Sequence, residues 1–166
     1  MALASANALA QDSINIYSAR HYQSDDALYA KFTKATGIAI NRVDADDAGI
    51  IARLKAEGSA SPADVILLVD ATRLHNAEQD GLFQAVDSQV LNKRIPANLR
   101  APSNQWFGFS TRARVIVYDP KRVKASDAAT YEQLASPVNK GKVCLRSGTH
   151  PYNLSLFGSV AVHNGE

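Results

Sequence analysis

The chain has 166 residues and carries 18 Lys plus Arg against 16 Asp plus Glu, for a net charge of +2; that length suffices for one domain or for parts of two. So balanced a charge excludes the basic stripe that nucleic-acid binding requires, and no apolar run approaches the roughly eighteen residues of a membrane span. The single cysteine, Cys144, excludes an internal disulfide and a zinc site built on cysteines, and its place in Val143-Cys144-Leu145 predicts a small buried hydrophobe.

At the N-terminus, Ala8-Leu9-Ala10 before Gln11 fits the small-x-small cleavage site of a secretory signal peptide, without the basic start and most of the apolar stretch of such a leader. Residues 1–10 are therefore read as the remnant of a signal peptide and the exported chain as starting near Gln11. From there the pattern is strand, helix, strand, helix, strand. Ile14 to Tyr17 reads as a buried strand. A helix follows, capped by Ser24, with Asp25 and Asp26 near its positive end, Leu28, Tyr29 and Phe32 on one face, and Gly37 to stop it. Ile38 to Val43 reads as the second strand and Ile50-Ile51-Leu54 as the core face of a second helix ending at Gly58. Ala63 to Val69 is so continuously apolar that it predicts a parallel strand buried on both faces. A third helix carrying Leu74 and Ala77 ends at Gly81, and an irregular stretch through Pro96 and Pro102 follows. The fold class is α/β, with a βαβαβ sheet in a first lobe spanning 11–109.

At Trp106 the pattern changes. The extended run Trp106 to Tyr118, closed by Asp119-Pro120, exceeds the usual five or six residues of a strand and is read as crossing from one sheet to another. The second lobe, 110–166, then holds a helix around Ala128 to Leu134, a strand from Lys142 to Leu145, a loop from Arg146 to Asn153, and an apolar helix through Leu154, Phe157 and Val160. Few residues follow the crossing strand for a domain of ordinary size, so the second lobe is expected to be incomplete.

Two tyrosines lie in loops that leave the carboxyl ends of predicted strands, Tyr22 after the first and Tyr152 after the one at Lys142 to Leu145. In an open α/β sheet that is where ligands sit, and each phenol has a histidine close by, His21 and His150. Taken alone, tyrosines are most often half-buried packing residues, and Tyr17, Tyr29, Tyr118 and Tyr131 are read that way. His75, His150 and His163 read as surface residues, and Asp70 as a group on the cleft side or as the cap of the helix it precedes. Strand alternation puts Arg112 and Arg114 on one side of the crossing segment, and one of the two is read as a solvated surface charge.

The run Ile14-Asn15-Ile16-Tyr17-Ser18-Ala19-Arg20-His21-Tyr22, the segment Ser61-Pro62-Ala63-Asp64-Val65, the stretch Ile95-Pro96-Ala97-Asn98-Leu99-Arg100, the run Trp106-Phe107-Gly108-Phe109-Ser110-Thr111-Arg112-Ala113-Arg114-Val115, and Tyr152-Asn153 resemble, in that order, the periplasmic ferric-iron-binding proteins of ABC importers. The likeness is to the cyanobacterial-type branch and extends from Ile14 onward. It implies a two-lobed type II periplasmic binding-protein fold with Fe3+ in the cleft, a permease in the inner membrane as partner, and a periplasmic location. It also implies that Tyr22 and Tyr152 are iron ligands, one from each lobe, that His21 joins them in some members, and that Arg112 lies beside the iron shell. The family pattern further asks for an adjacent tyrosine pair from the second lobe, which this sequence does not contain.

The chemistry agrees with that implication. Ferric iron is a hard, highly charged cation that favours anionic oxygen donors; a phenol must lose its proton to ligate it, so binding releases protons and weakens in acid. A guanidinium near phenolates helps to balance the anionic ligand set. The other reading within this fold is a receptor for a small anion held by Arg20, Arg112 and loop amides. An enzyme is a third reading, against which stands the lack of a Gly-x-Ser-x-Gly elbow, a Gly-x-x-x-x-Gly-Lys loop or a His-Glu-x-x-His motif.

Overall fold

The computed structural model describes residues 12–20 and 22–165; the signal-peptide remnant expected at 1–10, and His21, lie outside the described residues. The chain divides into two compact units, Met1–Ala85 and Val86–Glu166. The lobes drawn from the sequence, 11–109 and 110–166, rest on a different criterion, a strand crossing between sheets, and remain a proposal.

In the first unit, β1 (Ser13–Ser18), β2 (Ala39–Asp44) and β3 (Val65–Leu67) form a parallel sheet in the order β2-β1-β3. The helices are α1 (Gln23–Thr36), α2 (Asp47–Glu57) and α3 (Ala71–Gln79). Because β1 is central and its two neighbours lie on opposite sides, the strand order reverses at its carboxyl end, the place where open α/β sheets bind ligands. Tyr17, Ala19, Ile50 and Leu54 form the buried core, with Val43, Ile66, Leu68 and Leu82 packed against it. Ile50 and Leu54 stand one helical turn apart and so share the face of α2 that meets the sheet. The Tyr17 hydroxyl, at the core's edge, donates to Glu57 at 2.9 Å, and the same carboxylate accepts from Arg53 at 2.6 Å and Ser61 at 2.7 Å. Asp46 caps α2 by accepting from the Gly49 amide, and Asp47 accepts from the Val69 amide, which ties the start of that helix to the end of β3.

Several sequence expectations need correction here. Tyr22, not Ser24, occupies the N-cap of α1, with no side-chain capping bond. The stripe of α1 turned towards the protein is Asp25, Tyr29, Phe32 and Thr33, a spacing of four, three and one, which leaves Leu28 outside it and 63% exposed. Gly37 does end the helix, with φ 77°, a left-handed conformation that costs glycine little. The third strand is three residues long and pairs only with β1, and with Val65 exposed and Ile66 and Leu67 only half-buried it is not the strand buried on both faces that was expected.

The second unit contains α4 (Gln89–Arg94), α5 (Tyr131–Leu134) and α6 (Pro151–Asn164), with short 3-10 turns at Ala97–Leu99, Ala125–Ala128 and Pro137–Asn139. Helix α4 lies in the stretch read as irregular, and Ser88 caps it by accepting from the Leu91 amide. Helix α5 is held by a full capping box, Thr130 with Gln133. The long strand expected from Trp106 to Tyr118 is absent among the described residues. It is replaced by an isolated antiparallel bridge between Arg100 and Phe107 and a run after it that belongs to no strand. Gly108 donates to the Leu99 carbonyl at 2.7 Å, and a Cβ there would meet that oxygen at 2.9 Å, so the bridge requires glycine. The strand expected from Lys142 to Leu145 likewise does not form among the described residues, and Cys144 is exposed, not buried. A strand needs a neighbouring backbone, and alternation carries no information on that.

Candidate functional site

Both tyrosines singled out from the sequence stand at the N-terminus of a fourteen-residue helix, Tyr22 as the N-cap of α1 and Tyr152 as the second residue of α6. The positive end of a helix macrodipole favours negative charge there, including a phenolate. In both places a strand-like run leads into the turn that precedes the helix, which is how the local sequence puts a phenol at that spot.

In the first unit, the Tyr22 side chain is 40% exposed, and the Arg20 guanidinium lies 5.1 Å from its ring centre. Arg20 is itself clamped by Asp25 in a two-bond fork, 2.7 and 3.0 Å. That hydrogen bonding holds the Asp25 carboxyl below its usual range and the Arg20 guanidinium above its own. A guanidinium already engaged by a carboxylate is a poor direct ligand for a free anion, which counts against the small-anion reading that relied on Arg20. Asp70, left open in the sequence, caps α3 by accepting from the Thr72 amide at 2.9 Å.

In the second unit three arginines surround Tyr152. Arg112 donates to the Tyr152 hydroxyl at 2.8 Å. Arg114 lies over the ring, its guanidinium carbon 3.8 Å from the centre, and Arg146 approaches the same ring at 5.5 Å. His150, read from the sequence as a surface residue, is half-buried, packs edge-on against Tyr152 at 4.7 Å and accepts from the Tyr152 amide through Nδ1 at 3.2 Å. Asn153 is 6% exposed and donates to the Arg146 and Ser147 carbonyls, which fastens the loop carrying Arg146 to the first turn of α6. Arg114 is half-buried against the ring, while Arg112 is exposed and meets only the hydroxyl end of Tyr152 in the contacts described, in keeping with the reading of one of the two as a solvated charge. Arg146 and Asn153 have no individual role in the sequence reading, and His150 has only a surface one; all three belong to the run around Tyr152, and proximity to a candidate ligand in a turn before a helix is the signal that points to them.

Beside Tyr152, the runs 114–119 and 142–146 line one cavity of about 460 Å3, together with Tyr131, Leu134 and Leu156. Among the described residues no three His, Cys, Asp or Glu side chains come together in a way that could hold a metal ion, so the phenol oxygens are the anionic donors to weigh. Among the described residues no helix is long and apolar enough to cross a membrane.

A profile of the bacterial extracellular solute-binding proteins matches residues 17–162. Iron uptake protein A1 of Synechocystis sp. is 49% identical over 156 residues, covering 94% of this chain and 43% of that protein. The major ferric iron-binding protein of Neisseria gonorrhoeae is 30% identical over 118 residues, 69% of this chain and 35% of that protein. Among solved structures, a Trichodesmium protein in complex with iron and citrate ligands matches with a TM-score of 0.83 at 48% identity, over 92% of this chain and 48% of that one. The ferric binding protein of Campylobacter jejuni matches at 0.84 with 40% identity, over 92% and 49%. The chain spans less than half the length of these relatives.

Proposed function

This chain belongs to the bacterial extracellular solute-binding protein family, and on that premise we propose that it serves to capture ferric iron in the periplasm and deliver it, without catalysis, to the permease of an ABC importer in the inner membrane. Tyr22 and Tyr152 are the iron ligands from this chain, as phenolates, with His21 as a further donor and Arg112 beside the shell balancing charge. The observation that carries this reading is the setting of Tyr152: a phenol at a helix N-terminus, hydrogen-bonded by one guanidinium and stacked by another, is surrounded by the features that favour an anionic oxygen. A hard trivalent cation is the partner such an oxygen suits best. The iron-related names of the relatives point the same way.

The test uses ferric nitrilotriacetate, whose chelator fills the coordination positions this chain leaves open. Phenolate ligation produces a visible charge-transfer band. Tyr152→Phe and Tyr22→Phe each remove one anionic donor and keep the ring, so each should weaken or shift the band and reduce affinity by more than roughly a hundredfold, the upper range for outer-shell partners alone. A colourless mixture with the parent chain, or equal bands in parent and both variants, rejects the assignment.

A further inference from the structure

We infer that Arg114 and Tyr131 are positioning residues for the iron phenolate at Tyr152: Tyr131 fixes the backbone of Arg114, and the Arg114 guanidinium fixes and electronically tunes the Tyr152 ring. This rests on Tyr152 being an iron ligand. The geometry separates the two arginine contacts by what they do to the oxygen. Arg112 donates directly to the hydroxyl at 2.8 Å and so engages the oxygen that a metal would need. Arg114 sits on the ring face, 3.8 Å from its centre, clear of the oxygen's coordination directions. Its contact can therefore persist when iron arrives, whereas the Arg112 bond must be shared or surrendered.

A cation on an aromatic face is attracted by the ring quadrupole. The attraction grows when the ring becomes a phenolate, because the added negative charge is partly delocalised into it. Such a contact does its work only if the long arginine side chain is delivered to the right place. The Tyr131 hydroxyl donates to the Arg114 carbonyl at 2.6 Å, across 17 residues of sequence, and Tyr131 is the first residue of α5, which the Thr130–Gln133 capping box locks. The path runs from a capped helix through one hydrogen bond to the Arg114 backbone, and from its side chain to the ring. Tyr131, which the sequence marks as ordinary packing, becomes part of the support for the site.

The consequence is spectroscopic as well as energetic. A guanidinium on the ring lowers the energy of the phenolate electrons and so raises the energy of their transfer to iron. With ferric nitrilotriacetate as the probe, Arg114→Met should move the visible band to longer wavelength and weaken iron retention against added citrate by about three- to tenfold, the range expected for a partly desolvated cation–aromatic contact. Arg114→Lys should restore most of the band position by returning the charge, and Tyr131→Phe should shift the band the same way as Arg114→Met by a smaller amount. Arg53→Met, which removes a guanidinium stacked 4.8 Å from the Tyr17 ring in the first unit, should leave the band in place. If Arg114→Met and Tyr131→Phe keep the parent band and affinity while Tyr152→Phe changes them, the inference is wrong and the ligand assignment stands. If Tyr152→Phe is itself silent, both fall.

Discussion

Beside Tyr22 in the first unit lies the Arg20 guanidinium, its charge already held by Asp25; around Tyr152 in the second unit lie those of Arg112, Arg114 and Arg146. Packing divides the units in the opposite sense. Tyr17, Ala19, Ile50 and Leu54 form a closed core in the first. Among the described residues, the exposed large hydrophobics are Tyr22, Leu28 and Val65 in that unit, against a set in the second that includes Phe109, Val115, Val117, Val143, Leu145, Leu154, Phe157 and Val162. The first unit thus offers a closed core and a tyrosine whose neighbouring guanidinium is already engaged, and the second a tyrosine among several guanidiniums on a less buried frame. A closed core and counter-charge are supplied from different halves of the sequence.

The largest effect expected from this contrast is on stability. Ile50 is fully buried, so Ile50→Ala should cost about 2–5 kcal/mol through lost burial and the cavity left behind. Leu154 is 51% exposed, and Leu154→Ala should cost less than about 1 kcal/mol. Urea unfolding of both variants against the parent checks the pair. An equal cost would mean that the apolar face of α6 is covered in solution and that the packing contrast is false.

The second expected effect concerns association. Val117, 87% exposed, and Leu145, 52% exposed, line the same cavity from runs that belong to no strand. Exposed apolar side chains gathered on one surface mark a place where copies associate. The double variant Val117→Lys, Leu145→Lys should lower the weight-average mass in sedimentation at high protein concentration, with a stability change of only about 1 kcal/mol or less. Unchanged mass would show that these runs do not mediate contacts between copies.

How much of this was readable in advance follows from the range of each signal. The βαβαβ order, the Gly37 and Gly58 stops and the Ile50–Leu54 face are local patterns, and they appear in the structure. Tyr22 and Tyr152 stand out in the sequence by position after a predicted strand, which is also a local signal, although only the strand before Tyr22 forms. What the sequence could not supply were contacts between distant segments. The Tyr131 bond to Arg114 spans 17 residues and the Arg112 bond to Tyr152 spans 40, and no periodicity encodes either. The missing strands fail for the same reason, since Val115, Val117 and Leu145 alternate as strands do while a ladder depends on a partner backbone elsewhere. Leu28 was lost to a smaller error, a helical stripe placed one residue off.

The smallest effect expected tests the engaged guanidinium beside Tyr22. Hydrogen bonding to Arg20 lowers the Asp25 carboxyl from its ordinary value of 3.8, and hydrogen bonds from Ser61 first, then Arg53, lower Glu57 from 4.5. A carboxylate whose folded value is depressed contributes stability that is fully present above its unfolded value and is lost as pH falls through the lowered folded value. The first unit should therefore hold its thermal midpoint from neutral pH down to about 4.5 as far as these groups are concerned, and lose stability below it as Glu57 and Asp25 take up protons. Asp25→Asn should remove part of that acid slope while costing about 1 kcal/mol or less at neutral pH, the usual worth of a partly exposed ion pair. It should also release the Arg20 guanidinium beside Tyr22, making that site resemble the one at Tyr152. Thermal melts of parent and Asp25→Asn between pH 6 and pH 3 decide the matter: parallel curves would mean that the Arg20–Asp25 fork contributes nothing to folding.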